Sequence, residues 1–95
     1  MDMTRADLNL LRSLAVLIEE GNVTRAAVRL GVSQPALSAQ LARLRAMFDD
    51  PLLVPSETGR GMVPTPRALD LRGPLDGMLA DVGRILAPAA GFDPT

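Results

Sequence analysis

VTRAAVRLGVSQPALSAQLARLR, from Val23 to Arg45, is the stretch of sequence that decides the fold. It holds two short segments whose apolar residues recur at helical spacing, and Gly31 separates them. Glycine suits the left-handed position that ends many helices, and Ser33 can then cap the next helix with Pro35 in its first turn. Small residues before the turn and apolar anchors on both sides allow a steep crossing of the two helices. The stretch therefore predicts a helix-turn-helix.

Three helices are predicted in the first half of the chain. A capping pattern at Thr4 and Asp7 begins the first helix, which ends near Glu20 and carries two apolar stripes that require two packing partners. Thr24 is the predicted cap of the second helix, which spans residues 25–30 and is too short to be stable alone. The third helix is predicted to bury Leu37, Leu41, Leu44 and Phe48.

A short hairpin and a long helix are predicted after this. Two apolar runs, 52–54 and 62–64, predict short strands on either side of a glycine-containing tip. Thr65 and Pro66 then predict the start of a helix that runs to about Leu86. The fold class is mainly α, in the order α-α-α-β-β-α. The tail, residues 89–95, has the composition of a linker.

The composition argues against an enzyme. The chain contains no His, Cys, Lys, Tyr or Trp, so acid–base chemistry would fall on carboxylates and a nucleophilic serine would lack a base. Asp49 and Asp50 are adjacent, and a solvated loop explains them better than a metal site does. We expect no cofactor and no metal. The absence of a long apolar run predicts a cytoplasmic protein without a membrane segment.

Charge is unevenly distributed along the sequence. The net charge is −1, but residues 25–67 carry +3, whereas residues 1–24 and residues 68–95 each carry −2. All ten basic residues are arginine, the side chain that forms bidentate contacts with phosphate and guanine. Codon bias is the alternative source of this preference, and each arginine taken singly also suits a solvated surface. The shared placement of the arginines favours a nucleic-acid partner.

The second helix of a helix-turn-helix places its N-terminal end in the major groove of DNA. There Gln34 can pair with adenine, and Pro35 or Ala36 can contact a thymine methyl group. Arg60, at the hairpin tip, can reach the minor groove or a phosphate as a wing does. Phosphate contacts are predicted at Thr24 and Ser33. The alternative is a dimeric helical protein–protein interaction module without DNA readout, whose arginines bind acidic surfaces.

The long helix carries a heptad-like apolar seam. Its first part can pack within the chain, but from Leu75 onward little of the sequence remains to cover it. A second copy of the chain is therefore the expected partner. The predicted dimerisation residues are Leu71, Leu75, Met78, Leu79, Val82, Ile85 and Leu86.

Three separated motifs, TRAAVRLGVSQPALSAQLARLR, DDPLLV and TGRGMVPTPRAL, resemble the N-terminal DNA-binding domain of LysR-type transcriptional regulators. The resemblance covers nearly the whole chain, from about residue 7 to residue 85. It implies a winged helix-turn-helix domain over 1–65 and a linker and dimerisation helix over 66–88 that pairs two protomers. It also implies the start of a hinge over 89–95, which normally leads into an effector-sensing domain. The implied partners are double-stranded DNA with dyad symmetry and a second copy of the chain, with a tetramer common for full-length members. A small-molecule effector would bind only through the further domain.

The resemblance also assigns contacts to individual positions. Two departures from the family pattern matter, because Ala39 and Pro55 stand where many members carry arginine. At Ala39 one direct base contact is either lost or replaced by a contact from a methyl group, and the hairpin tip is longer than is usual in the family. The implied DNA contacts are Thr24, Arg25, Ser33, Gln34, Pro35, Ser38, Ala39, Arg43 and Arg60.

Overall fold

The computed structural model describes residues 8–88, which form four helices and one hairpin. The elements are α1 (Leu8–Glu20), α2 (Val23–Leu30), α3 (Gln34–Phe48), β1 (Leu53–Pro55), β2 (Met62–Pro64) and α4 (Pro66–Leu86). The strands pair antiparallel, with Val54 opposite Val63. The predicted order α-α-α-β-β-α is therefore confirmed. The proposed cap at Thr4 and Asp7, and the hinge over 89–95, lie outside the described residues.

Capping side chains fix the ends of the helices around the central turn. Gly31 has a φ of 71°, the left-handed conformation expected after α2, and the Ser33 hydroxyl accepts a hydrogen bond from the backbone N–H of Ala36. The prediction that Thr24 caps α2 was wrong. The Asn22 side chain takes that role by accepting from the Arg25 N–H at 2.8 Å, so the helix begins two residues earlier than predicted. Thr24 then lies inside the first turn.

The first helix lies at the centre of the fold and separates two apolar clusters. This arrangement confirms the two packing partners predicted from its stripes. Leu8, the first residue of the helix, is 52% exposed and belongs to neither cluster. One cluster joins α1 to α3 and α4 through Leu10, Leu14, Ala15, Ile18, Leu44, Leu52, Ala68 and Leu75. The other joins α1 to α2, α3 and the hairpin through Val16, Leu17, Ala26, Ala27, Leu37, Leu41 and Leu53.

A polar contact crosses this apolar packing between α1 and α3. Ser13 is buried, and its hydroxyl donates to the Gln40 side-chain oxygen at 2.5 Å. A buried hydroxyl without a partner destabilises the folded state, so the pair favours one rotation of α3 about its axis. That rotation determines which side chains α3 presents to solvent.

The packing of α4 corrects two sequence expectations. Leu75 is 6% exposed because α1 covers it, so the prediction that the seam loses its cover at Leu75 was wrong. Leu71 and Leu79, also predicted at the dimer seam, are partly buried against the same cluster. Met78 and Val82 lie outside that cluster, and Ile85 and Leu86, at the end of the helix, are 78% and 77% exposed. Phe48, predicted to be buried, is only partly buried, and the Arg67 guanidinium lies 5.9 Å from its ring centroid. Within residues 8–88, no helix is both long and apolar enough to cross a membrane.

Candidate nucleic-acid interface

From Gln34 to Arg43, α3 presents a face of small and polar side chains to solvent. Leu37, Leu41 and Leu44 are buried on the opposite side and hold this orientation. A surface without bulky groups can approach the floor of a groove closely. The exposed residues of this face are Gln34, Pro35, Ala36, Ser38, Ala39, Ala42 and Arg43. The structure thus brings the predicted base-contacting residues together.

The structure also joins two predicted residues that lie on different helices. The Thr24 hydroxyl on α2 donates to the Gln34 side-chain oxygen on α3, across 3.3 Å. The bond orients the Gln34 amide at the exposed N-terminus of α3. The amide nitrogen still has two donors, and the oxygen keeps a second lone pair for another partner. The sequence predicted a phosphate contact for Thr24 and a base contact for Gln34, and no pattern in it indicated a hydrogen bond between the two side chains.

Positive charge is concentrated around this face. Residues 21–48 contain four arginines and no carboxylate, and the N-terminal end of α3 adds the positive end of its helix dipole. Within residues 8–88, no carboxylate lies within ion-pair distance of Arg25, Arg43 or Arg60. These three guanidinium groups therefore keep their charge available for an anionic partner.

Two other arginines of the basic segment are already engaged within the chain. Arg29 pairs with Glu20 at 2.9 Å and with Glu19 at 3.4 Å. The hydrogen bond that Arg29 donates to Glu20 is the main cause that raises the pKa of Arg29. Arg45 donates to the carbonyl oxygens of Pro51 at 2.8 Å and Leu53 at 2.9 Å. It thereby ties the end of α3 to the start of the hairpin.

A carboxylate fixes the base of the hairpin, so the prediction of a solvated loop was wrong for Asp50, whereas Asp49 is exposed. One oxygen of Asp50 accepts hydrogen bonds from the Leu52 N–H and the Thr65 hydroxyl, both at 2.7 Å. The bond to Thr65 connects the start of the hairpin to the cap of α4. Leu52, with a φ of 64°, is fully buried at this corner.

The hairpin carries Arg60 on an exposed tip. Residues 56–61 form the tip, which is closed by hydrogen bonds from the Ser56 N–H to the Gly61 carbonyl and from the Gly59 N–H to the Ser56 carbonyl. Directly after the tip, at the start of β2, the Met62 N–H donates to the Gly21 carbonyl at 2.8 Å. This bond holds β2 against the turn between α1 and α2. The hairpin thus projects from the α1–α2–α3 unit as a wing.

Comparison with known sequences now identifies the family. The sequence model described as "Bacterial regulatory helix-turn-helix protein, lysR family" matches residues 8–69, more than half of the chain. The chain belongs to the LysR family. Its winged helix-turn-helix fold is the fold of LysR DNA-binding domains, and the family resemblance seen in the sequence is confirmed.

Its relatives in the LysR family are transcriptional regulators rather than enzymes. The chain is 48% identical over 88 residues to the HTH-type transcriptional regulator LeuO of Escherichia coli K12, covering 93% of this chain and 27% of LeuO. It is 45% identical over 89 residues to Nodulation protein D 1 of Bradyrhizobium elkanii, covering 94% of this chain and 28% of the relative. It therefore spans about a quarter of the length of these curated relatives.

A solved structure of a LysR relative includes DNA. The BenM DBD in complex with catB site 1 DNA matches this chain with a TM-score of 0.75 and 27% identity. The match covers 85% of this chain and 89% of the BenM chain. The fold described above is thus the fold of a protein crystallised on DNA.

Proposed function

We propose that this LysR-family chain binds double-stranded DNA in a sequence-specific manner, as the DNA-binding part of a longer transcriptional regulator. The exposed N-terminal face of α3 carries this proposal, because it combines small side chains, an oriented glutamine and a surrounding sequence without carboxylates. Under this proposal α3, which begins at Gln34, enters the major groove. The hairpin, residues 52–64, lies on the minor groove or the backbone.

The proposed base contacts come from the first two turns of α3. The amide of Gln34 has the donor and acceptor needed for the N7 and N6 groups of adenine. Pro35, Ala36 and Ala39 offer apolar surface to thymine methyl groups, and the hydroxyl of Ser38 can bond to either kind of base edge.

The proposed phosphate contacts surround these base contacts. Arg25 and Arg43 supply unpaired charge, while the hydroxyls of Thr24 and Ser33 lie at the starts of α2 and α3. Contacts of this type fix the register of a protein on the duplex without reading its sequence. Arg60 would add a contact from the wing.

The proposed assembly is a homodimer that forms through the uncovered end of α4. Two copies of α3 would then lie about 34 Å apart, one turn of DNA, and would read an operator with dyad symmetry. The division into a domain over 1–65, a dimerisation helix over 66–88 and a hinge over 89–95 belongs to this proposal. So do a cytoplasmic location, a tetrameric full-length protein and an effector bound by a further domain.

Selection from a random duplex library tests this function. We expect the chain to enrich a two-fold symmetric motif with a fixed spacing between half-sites. Gln34→Ala should weaken binding to that motif by about 1–3 kcal/mol and relax the preference at one base pair of each half-site. Ala46→Ser, at the exposed far end of the same helix, is the matched control. A lack of enrichment at both low and moderate salt, by this chain and by a full-length regulator carrying it, would favour the interaction module.

A further inference from the structure

The wing is held against the rest of the domain by a contact between two stretches of backbone. The Met62 N–H donates to the carbonyl of Gly21, which lies in the turn between α1 and α2. Gly61, the residue before Met62, lies against the same carbonyl group. We call this contact, formed by Gly21, Gly61 and the Met62 N–H, the wing latch.

The latch leaves no room for a side chain on either glycine. A Cβ atom added to Gly61 would lie 2.6 Å from the Gly21 carbonyl oxygen, and one added to Gly21 would lie 2.9 Å from the Met62 carbonyl oxygen. Because both obstructing atoms belong to backbone, no rotamer change can relieve the clash. Substitution must move the hairpin away from the turn.

The latch and Arg45 hold opposite strands of the hairpin. Arg45 attaches the segment entering β1 to the end of α3 through two carbonyl groups, and the latch attaches the start of β2 to the α1–α2 turn. The tip beyond them is exposed and is held by its own local hydrogen bonds. The position of the tip relative to α3 is therefore fixed at the base of the hairpin.

We propose that Gly21 and Gly61 are positioning residues for DNA recognition, because their contact sets where Arg60 meets the duplex. This inference rests on the proposed function. Arg60 immediately precedes Gly61, so a shift at the latch moves Arg60 directly. A displaced guanidinium loses its groove or phosphate contact while α3 keeps its own contacts.

Four Gly→Ala variants distinguish the effect of opening the latch from the backbone strain that alanine causes at any glycine with positive φ. Gly21 and Gly61 have φ values of 60° and 68°, and both would clash. Gly31 and Gly59 have φ values of 71° and 77°, but an added Cβ would meet nothing within 4 Å. All four substitutions strain the backbone in the same way. Only Gly21→Ala and Gly61→Ala also open the latch, so Gly31→Ala and Gly59→Ala are their controls.

The first readout is made on the free chain. Amide hydrogen exchange by NMR should show a protected Met62 N–H in the wild type and in both controls. Exchange of this amide should be faster by tenfold or more in Gly21→Ala and Gly61→Ala, as expected for a locally opened hydrogen bond. An unprotected Met62 amide in the folded wild type would overturn the latch without any variant.

The second readout is binding to a labelled duplex carrying the most enriched motif from the library selection. Arg60→Ala should weaken binding roughly five- to tenfold in the wild type and in Gly59→Ala. In the Gly61→Ala background it should weaken binding less than about twofold, because Arg60 is already misplaced. In the Gly21→Ala background, Arg60→Ala should likewise weaken binding less than about twofold, although Gly21 lies outside the wing.

The two proposals fail in different ways. If Gln34→Ala and Arg60→Ala weaken binding but Arg60→Ala has its full effect in Gly61→Ala, the positioning role is wrong and the DNA-binding function stands. If Arg60→Ala does not change binding to the enriched motif, Arg60 makes no contact for the latch to position, and the positioning role is wrong. If neither this chain nor a full-length regulator carrying it enriches any motif, the proposed function itself is wrong. Thermal unfolding of each variant, monitored by circular dichroism, checks that the variant is folded at the temperature of the binding assay.

Discussion

Chemically identical arginines have different roles in this domain because of what each one touches. Arg29 forms ion pairs with two glutamates, and Arg45 donates hydrogen bonds to backbone carbonyls at the start of the hairpin. Arg25, Arg43 and Arg60 have no carboxylate of residues 8–88 within ion-pair distance. An arginine without an internal partner can bind a phosphate without breaking an existing contact.

We expect Arg43→Ala to weaken binding to all duplexes to a similar degree, whatever their sequence. The loss of one phosphate contact should also lower the slope of log K against log salt by about 1. Titrations at several salt concentrations, on the selected motif and on a scrambled duplex, measure both effects.

Arg84→Ala is the matched control for the loss of one positive charge. Arg84 is also exposed, but it lies on α4 and pairs with Asp81 three residues before it. Its replacement should leave the salt slope unchanged. Equal slopes for the two variants would show that Arg43 acts only through net charge, contrary to a direct phosphate contact.

At the scale of the elements, a buried corner at Leu52 joins the hairpin to the helices on either side of it. Asp50 bonds to the Leu52 N–H and to the Thr65 hydroxyl, and so connects the end of α3 and the start of α4 to the wing. The Thr65 hydroxyl also accepts from the Ala68 N–H and caps α4. One carboxylate thus fixes three elements.

Asp50→Ala should lower the free energy of unfolding by about 1–3 kcal/mol, because it leaves the N–H of the buried Leu52 without its acceptor. Urea denaturation measures the loss. Glu57→Ala removes the same charge from the exposed hairpin tip and should change stability by less than about 0.5 kcal/mol. If both variants are equally stable, the corner does not depend on Asp50.

Local signals predicted the elements well, because they act within a few residues. Gly31, Ser33 and Thr65 mark helix ends by their own backbone preferences, and the face of α3 follows from its apolar spacing. The cap of α2 was predicted at Thr24, but Asn22 also has a capping side chain and takes that role in the structure. The contacts of Thr24, Arg45 and Asp50 were not predictable, since each depends on a partner that only the folded chain brings near.

At the scale of the whole molecule, α4 extends beyond the core that covers its first half. The molecule is elongated, with principal extents of 53, 30 and 24 Å. The helix alone has 21 residues, a length of about 32 Å at the usual rise. Its last turns keep an apolar seam in which Ile85 and Leu86 are the most exposed side chains. An exposed apolar seam at helical spacing is typical of a surface that pairs with another helix.

Val82→Glu and Met78→Glu should therefore convert the proposed dimer to a monomer and weaken binding to a duplex with two half-sites. Burying an unpaired carboxylate in an apolar helix pair is unfavourable by at least about 2 kcal/mol, enough to lower dimer affinity more than tenfold. Both residues are only half-exposed, but neither belongs to the core clusters of the single chain, so the fold should persist. Sedimentation equilibrium gives the oligomeric state.

Ala80→Glu adds the same charge on the opposite, exposed face of α4 and should leave the dimer intact. A dimer unchanged by Val82→Glu would place the interface elsewhere. Dissociation by Ala80→Glu as well would attribute the effect to charge on the helix, not to the seam.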